Sequence, residues 1–275
     1  MLRLYDAATR EVEEIRPGHR RELRVLAVAP AMDPAGGGPA DPDLASLRAF
    51  LLPDQLRRTA ERRSLVPTLC EVTAPGEAGP EPLAAEVRAA LNLHPPARIA
   101  PAGEPVERTV EYAGGGTPAF DVGTGDTGWL AGMDVIRYHA APAGAVSTSA
   151  GGPRRWSEVT AADLDPLALR LVFSRRRYRD GTDLTWDVLT GADQALSAWR
   201  RSVAEWANSP SAAMPARYAD AITAAFENDL DTEAALGELQ ALAADEDVAP
   251  GAKFETFAAA DRLLGLDLAR DIGRY

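Results

Sequence analysis

The segment from residue 23 to residue 72 constrains the fold more than any other. Residues 23–29 (LRVLAVA) are a short, apolar, β-branched run that ends at Pro30, the pattern of a strand buried on both faces. A loop rich in glycine and proline follows (33–41, DPAGGGPAD). A helix is predicted to start near Asp43, an acceptable N-cap, and to carry Leu44, Leu47, Leu51, Leu52 and Leu56 toward Arg63. Pro53 lies inside it and is expected to bend it. Residues 65–72 (LVPTLCEV) form a second strand candidate. Strand, glycine loop, helix and strand make a βαβ unit, which argues for a parallel sheet. The predicted class is therefore α/β, with a Rossmann-like parallel sheet.

The last third carries a different period. Val188, Ala192, Leu196, Trp199, Val203 and Trp206 recur at three- and four-residue steps, one apolar face of a long helix. Tyr218, Ile222, Phe226 and Leu230 mark a second helix, and Leu236, Leu239 and Leu242 a third. Phe254, Phe257, Ala258 and Leu264 mark a fourth, which breaks at Gly265. Short polar connections imply antiparallel neighbours and an α-helical bundle whose aromatic stripes are core. Elsewhere, residues 2–5 and 12–15 read as a short hairpin and 82–91 as a short helix. Residues 113–152 are expected to hold little structure beyond a strand at 135–139. The expected division is a Rossmann-like domain over 1–165, with a reduced insertion, and a bundle over 166–275.

The formal net charge is -12, and residues 180–275 hold 18 Asp and Glu against 7 Lys and Arg. A nucleic-acid binder needs a basic face, so this third argues against one. Cys70 is the only cysteine, which excludes an internal disulfide and a multi-cysteine zinc site. It reads as a small buried hydrophobe. His19, His94 and His139 are far apart in sequence, and His139 reads as a structural or surface histidine. The opening residues lack the apolar run of a signal peptide, and no window reaches the roughly 18 uncharged apolar residues of a membrane span. A reducing cytoplasm is the expected compartment. Lys253 is the only lysine beside 28 arginines, so a mechanism that needs lysines has almost none to use.

Several stretches match one family. Leu2-Arg3-Leu4-Tyr5-Asp6 with Thr9-Arg10 resembles an L-x-L-Y-(D/N)-T opening. Residues 43–58 (DLASLRAFLLPDQLRR) align without a gap to an H-I-G-(N/H)-A-R…F-D-x-L-R-R helix. Residues 120–125 (FDVGTG) are similar to F-D-I-H-G-G-G, and residues 145–149 (AVSTS) fall where K-M-S-K-S belongs. Residues 165–171 (DPLALRL), Arg177-Tyr178-Arg179, residues 226–232 (FENDLDT) and Leu263-Leu264-Gly265-Leu266 resemble D-P-x-A-L-R-L, H-Y-R-S, F-x-x-x-L-(D/N)-T and L-L-G-L. These are motifs of the cysteinyl-tRNA synthetase and mycothiol cysteine ligase family, class I aminoacyl-tRNA-synthetase-like proteins. The Leu-Tyr-Asp opening and the Asp-Leu-Asp-Thr stretch lean toward the ligase, an actinobacterial relative. The resemblance implies a nucleotide-binding Rossmann-like domain followed by a helical bundle.

It also implies where chemistry is missing. Class I activation joins a carboxylate to the α-phosphorus of ATP and needs donors for the charge that builds up. The imidazole positions of the H-I-G-H motif hold Asp43 and Ser46, its glycine is Ala45, and the two K-M-S-K-S lysines are Ala145 and Thr148. Each lost donor is worth about 3 kcal/mol of transition-state stabilisation. The first zinc-ligand position falls in Val28-Ala29-Pro30. The residues at nucleotide-binding positions are Asp43, Ser46, Arg48, Asp121, Gly123, Gly125, Ser147, Thr148 and Ser149, with no catalytic residue and no metal ligand. Gly36-Gly37-Gly38 is open to two readings, an anion cradle or an ordinary solvated loop. The expected function is a pseudoenzyme without a cofactor, acting on a protein partner or small molecule; tRNA and membrane are not expected partners. The alternative is a divergent ligase using ATP and Mg, with arginines such as Arg48 and Arg154 in place of lysines. A tRNA-binding or editing-related factor is a third class, opposed by the acidic bundle. Residues 175–179 (RRRYR) form either an anion patch or ion pairs with that bundle, the latter preferred.

Overall fold

In the computed structural model the described residues are 1–17, 21–29, 38–73, 83–99, 120–125, 127 and 136–274. The chain opens on an antiparallel hairpin, β1 (Arg3–Asp6) against β2 (Glu11–Glu14). The central sheet follows: β3 (Glu22–Ala29), β4 (Val66–Thr73), β5 (Arg98–Ile99), β6 (Phe120–Thr124) and β7 (Ile136–His139). Its order is β5-β4-β3-β6-β7, and every pairing is parallel. Both β4 and β6 flank β3, so the order reverses beside β3, as in Rossmann-like sheets. The fold is α/β, with helices packed on a parallel sheet.

The crossover between β3 and β4 is α1 (Leu44–Arg62), capped by Asp43. The helix runs without a break through Pro53. Leu52, Leu56 and Ala60 of α1 pack on Leu23, Val25 and Ala27 of β3 and on Leu4 of the hairpin, forming one core. Leu44, Leu47 and Phe50 of the same helix enter a second, larger core shared with α2 (Ala85–Ala90), α3 (Trp156–Ala161) and α4 (Pro166–Ser174). That core continues through α5 (Trp186–Trp206), α6 (Ala216–Glu227), α7 (Thr232–Ala244) and α8 (Pro250–Leu264), which form the bundle. Phe257 sits at its centre, edge-on to Trp199 and Trp206 at 5.8 and 5.1 Å between ring centres.

Three details depart from the sequence reading. Strand β6 lies in the stretch expected to hold little structure. It is five residues long and carries Asp121, fully buried, whose Oδ2 accepts the Arg24 backbone N–H at 2.9 Å. A five-residue strand that carries a buried acid and a glycine gives a weak hydropathy signal. The buried stripe of α5 is Leu189, Ala192, Leu196, Arg200 and Val203, whereas Val188 is 39% exposed. The inward position of Arg200 explains the rotation: it donates to Asp165, Leu266 O and Asp267 O, contacts a hydropathy count scores as outward. Leu230 is buried but lies beyond α6, in a left-handed turn with Asp229 (φ 49° and 62°).

A polar lock joins sheet and bundle. Arg170 of α4 is 1% exposed and donates to Asp54 Oδ2 (2.6 Å), Leu264 O (2.6 Å) and Leu91 O (3.1 Å). Arg58 donates to the same carboxylate at 2.8 Å, and the backbone N–H of His94 donates to Asp54 Oδ1 at 2.9 Å. Burial would raise the Asp54 carboxyl, but Arg170, His94 and Arg58 together hold it well below the usual carboxylate range. Gly265, at φ 68°, closes α8 over this lock; a Cβ there would lie 2.9 Å from both guanidiniums.

Candidate functional site

Open parallel sheets take ligands outside the carboxyl ends of their strands, at the point where strand order reverses. Here that point lies beyond Ala29 of β3 and Thr124 of β6, with the start of α1 beside it. Pro30, Gly36 and Gly37 are outside the described residues, as is His19.

At the start of α1, Asp43 Oδ1 accepts the Ser46 N–H at 2.8 Å and Asp43 Oδ2 accepts the Ser46 hydroxyl at 2.5 Å. The two residues at the imidazole positions are thus bonded to each other as a helix cap. The start of α3 lies alongside: Leu44 N–H donates to Arg154 O, and Trp156 N–H to Pro42 O. Asp41 accepts the Ser157 N–H (2.7 Å) and hydroxyl (3.0 Å), and Glu158 accepts the N–H groups of Arg154 and Arg155 at 2.5 and 2.9 Å. Amides at a helix start favour a phosphate. In this chain its own carboxylates take those amides.

The 147–149 loop repeats the pattern. Strand β8 (Val146–Ser147) pairs in parallel with β9 (Thr182–Asp183). Asp183 Oδ1 accepts the Ser147 hydroxyl at 2.9 Å and the Ser149 N–H at 3.0 Å, and Oδ2 accepts the Ser149 hydroxyl. The Ser149 hydroxyl, then its amide and the Ser147 hydroxyl, hold the exposed Asp183 carboxyl below its ordinary range. A carboxylate therefore stands where the resemblance implies ammonium groups. Thr148 is half-buried beside it.

Other candidates serve packing. Arg48 is 3% exposed, and its guanidinium donates to the carbonyls of Gly144 (2.9 Å), Asp180 (2.6 Å) and Arg177 (3.0 Å). It ties α1 to the segments flanking β8 and β9. Asp121 lies within the sheet, flanked by the guanidiniums of Arg24 and Arg137 at 3.7 and 3.8 Å. A Cβ on Gly123 would lie 2.7 Å from Ile136, and one on Gly125 (φ 83°) 2.4 Å from Val28 O, so both glycines answer close packing. His139 Nδ1 is 3.0 Å from the Thr127 hydroxyl, and its backbone N–H donates to Asp6 at 3.0 Å. Cys70 is buried in β4, and among the described residues no group of three or more His, Cys, Asp or Glu is placed to hold a metal.

The arginine run splits. Arg177 pairs with Asp231 at 2.5 Å, and Arg179 with Asp229 at 2.7 Å. Asp229 also accepts the Tyr178 hydroxyl and the Tyr5 N–H. Burial, with the Asp229 carboxylate beside it, pushes the Tyr178 phenol far above its ordinary value. The structure thus brings together Asp43 with Ser46, and Ser147 with Ser149, while Asp121 and Gly123 stay in the sheet and Gly125 lies just past the end of β6. Sequence reading missed Asp41, Glu158 and Asp183. The first two had a signal: an acid two residues before Asp43, and a glutamate three after Arg155. Asp183 is 34 residues from Ser149 and had none.

No family model matches the chain. Over part of its length it is similar to curated ligases. One is the L-cysteine:1D-myo-inositol 2-amino-2-deoxy-α-D-glucopyranoside ligase of Cellulomonas flavigena, 35% identical over 129 residues, 44% of this chain and 29% of the relative. Another is the enzyme of the same name from Thermobispora bispora, 38% identical over 109 residues, 38% of this chain and 25% of the relative. A third is ligase 2 of that name from Corynebacterium jeikeium, 33% identical over 150 residues, 50% of this chain and 35% of the relative. The chain thus spans about a third or less of the length of the relatives it matches. Partial likeness to the mycothiol cysteine ligases, together with the Rossmann-like sheet, supports a class I synthetase-like relationship.

Proposed function

We propose that this chain is a binding or partner protein on a class I synthetase-like scaffold, without cysteine activation. One observation carries the reading. By the resemblance, the positions that present donors to phosphates in active members hold Asp43 and Ser46, capped on each other, and Ala145 and Thr148, the latter between Ser147 and Ser149, which are bonded to Asp183. Adenylate formation requires preorganised positive charge and free donors where negative charge develops. Here carboxylates lie at both places, and like charge opposes a polyphosphate. The alternative ligase reading leans on arginines, yet Arg48 is buried and bonded to three carbonyls.

Calorimetric titration with ATP and magnesium, with and without cysteine, tests the proposal. No saturable ATP binding is expected up to about 1 mM, a level near the upper end of ordinary KM values. Saturable binding that cysteine strengthens would favour the divergent ligase.

A further inference from the structure

Lys253 is the only lysine among 275 residues, so all lysine chemistry of this chain falls on one position. None of the groups around it belongs to the strand ends or to the 147–149 loop, so its role does not rest on the function proposed above. A lysine commonly lays its stem on apolar surface and keeps its amine in water. Lys253 is the fourth residue of α8 and is 8% exposed. Its Nζ donates at 2.9 Å to Ala243 O, in the last turn of α7, and lies 5.6 Å from the centre of the Trp206 ring at the end of α5. These are its polar contacts among the described residues, and neither is a carboxylate. A cation so near the start of its own helix is unfavourable, whereas the carbonyl end of α7 and an aromatic face both favour it. The amine therefore joins the start of α8 to the ends of α7 and α5.

The connection between α7 and α8 is fastened separately. Asp245 accepts the Tyr218 hydroxyl at 2.9 Å and pairs with Arg217, both of α6, and its Oδ1 accepts the Asp247 N–H at 3.0 Å. Gly251 of α8 meets the chain beyond α5, where a Cβ on it would overlap Pro210 O. Freeing Lys253 therefore means loosening the start of α8 from α7 and α5, a local opening rather than global unfolding. An amine attacks an activated acyl group through its nitrogen lone pair. The N–C bond forms, the acyl–oxygen bond breaks, the oxygen leaves with its electron pair and the nitrogen gives a proton to water. The seated Nζ is turned toward Ala243 O and Trp206, with little surface left for that approach. The product amide has lost the charge that the helix end and the ring attract.

We propose that Lys253 is a conformationally gated acylation site, modified by acyl phosphates or activated acyl esters only when the start of α8 leaves α7, and that acylation then keeps this end of the bundle open. The test is reaction of the full chain with acetyl phosphate, with free Nα-acetyl-lysine amide present as the standard and acetylation at Lys253 read by mass spectrometry. The native chain is expected to react about tenfold or more slowly than the standard, and the chain in concentrated guanidinium chloride at the standard's rate. Asp245→Asn, which weakens the hold on the connection, should speed reaction at Lys253 about threefold or more. Asp220→Asn, the same change on the exposed face of α6, should leave it unchanged. Chain acetylated in denaturant and then refolded should exchange its amide hydrogens over residues 243–256 about tenfold or more faster than unmodified chain refolded alike, with the central sheet unaltered. A native rate within about tenfold of the standard overturns the proposal. So does equal acceleration in the two variants, unchanged exchange over 243–256 in the acetylated chain, or exchange raised equally in the sheet.

Discussion

The two ends of α1 treat charge in opposite ways. In its second half, Asp54 and Arg58 are buried and joined to Arg170, so the helix is fixed to α4 and to the end of α8. At its start, Asp43 and Ser46 form a helix cap, their side chains bonded to each other. The buried end holds the architecture, because a desolvated charge tolerates no missing partner. At the capped end the Ser46 N–H and hydroxyl are taken by Asp43, and the Leu44 N–H by Arg154 O. Scaffold and chemistry are therefore separable along a single helix of 19 residues.

That contrast can be broken by substitution. Arg170→Ala should cost about 3–5 kcal/mol in urea unfolding, since it removes one partner of a buried pair and strands the other. A loss below about 1 kcal/mol would make the lock no different from a surface pair. Asp54→Asn sharpens the point through pH. The Asp54 carboxyl is held below its unfolded value, so its contribution is complete above about pH 4 and lost as pH falls toward the folded value. The stability gap between the chain and Asp54→Asn should be flat from about pH 5 to 7 and shrink below about pH 4. Glu71 and Asp261, both raised by burial, act with the opposite sign but equally in the two proteins. At the other end of α1, Asp43→Ala should cost about 1 kcal/mol, the ordinary worth of an N-cap. Asp183→Asn, on an exposed carboxylate, should fall within about 0.5 kcal/mol in thermal unfolding. The smallest effect is expected with tRNA: filter binding at physiological salt should show no sub-micromolar complex, because residues 180–275 hold 18 acids against 7 basic residues.

Periodicity made much of this fold readable in advance. Residues 23–29 and 65–72 pair in parallel around α1, and the four apolar series of the last third are the helices α5 to α8. What periodicity could not reach was polar and buried. Strand β6 carries Asp121 inward, and α5 turns Arg200 inward, so each hides from a hydropathy count. The Asp54–Arg170 pair spans 116 residues and leaves no local signature. The site was legible at Asp43, because N-capping is a local rule, and illegible at Asp183, which reaches Ser149 only through the β8–β9 pairing. The arginine run was readable as ion pairs at Arg177 and Arg179, while Arg176 faces a cleft that only the assembled helices create.

The most direct measurement is cysteine-dependent exchange of pyrophosphate into ATP, run on the chain and on one variant carrying Asp43→His, Ser46→His, Ala145→Lys and Thr148→Lys together. The proposed function requires that the unmodified chain exchange no pyrophosphate above the enzyme-free control, with cysteine or without it. Exchange by the unmodified chain with cysteine would contradict it outright, and exchange with another amino acid would put the divergent ligase in its place.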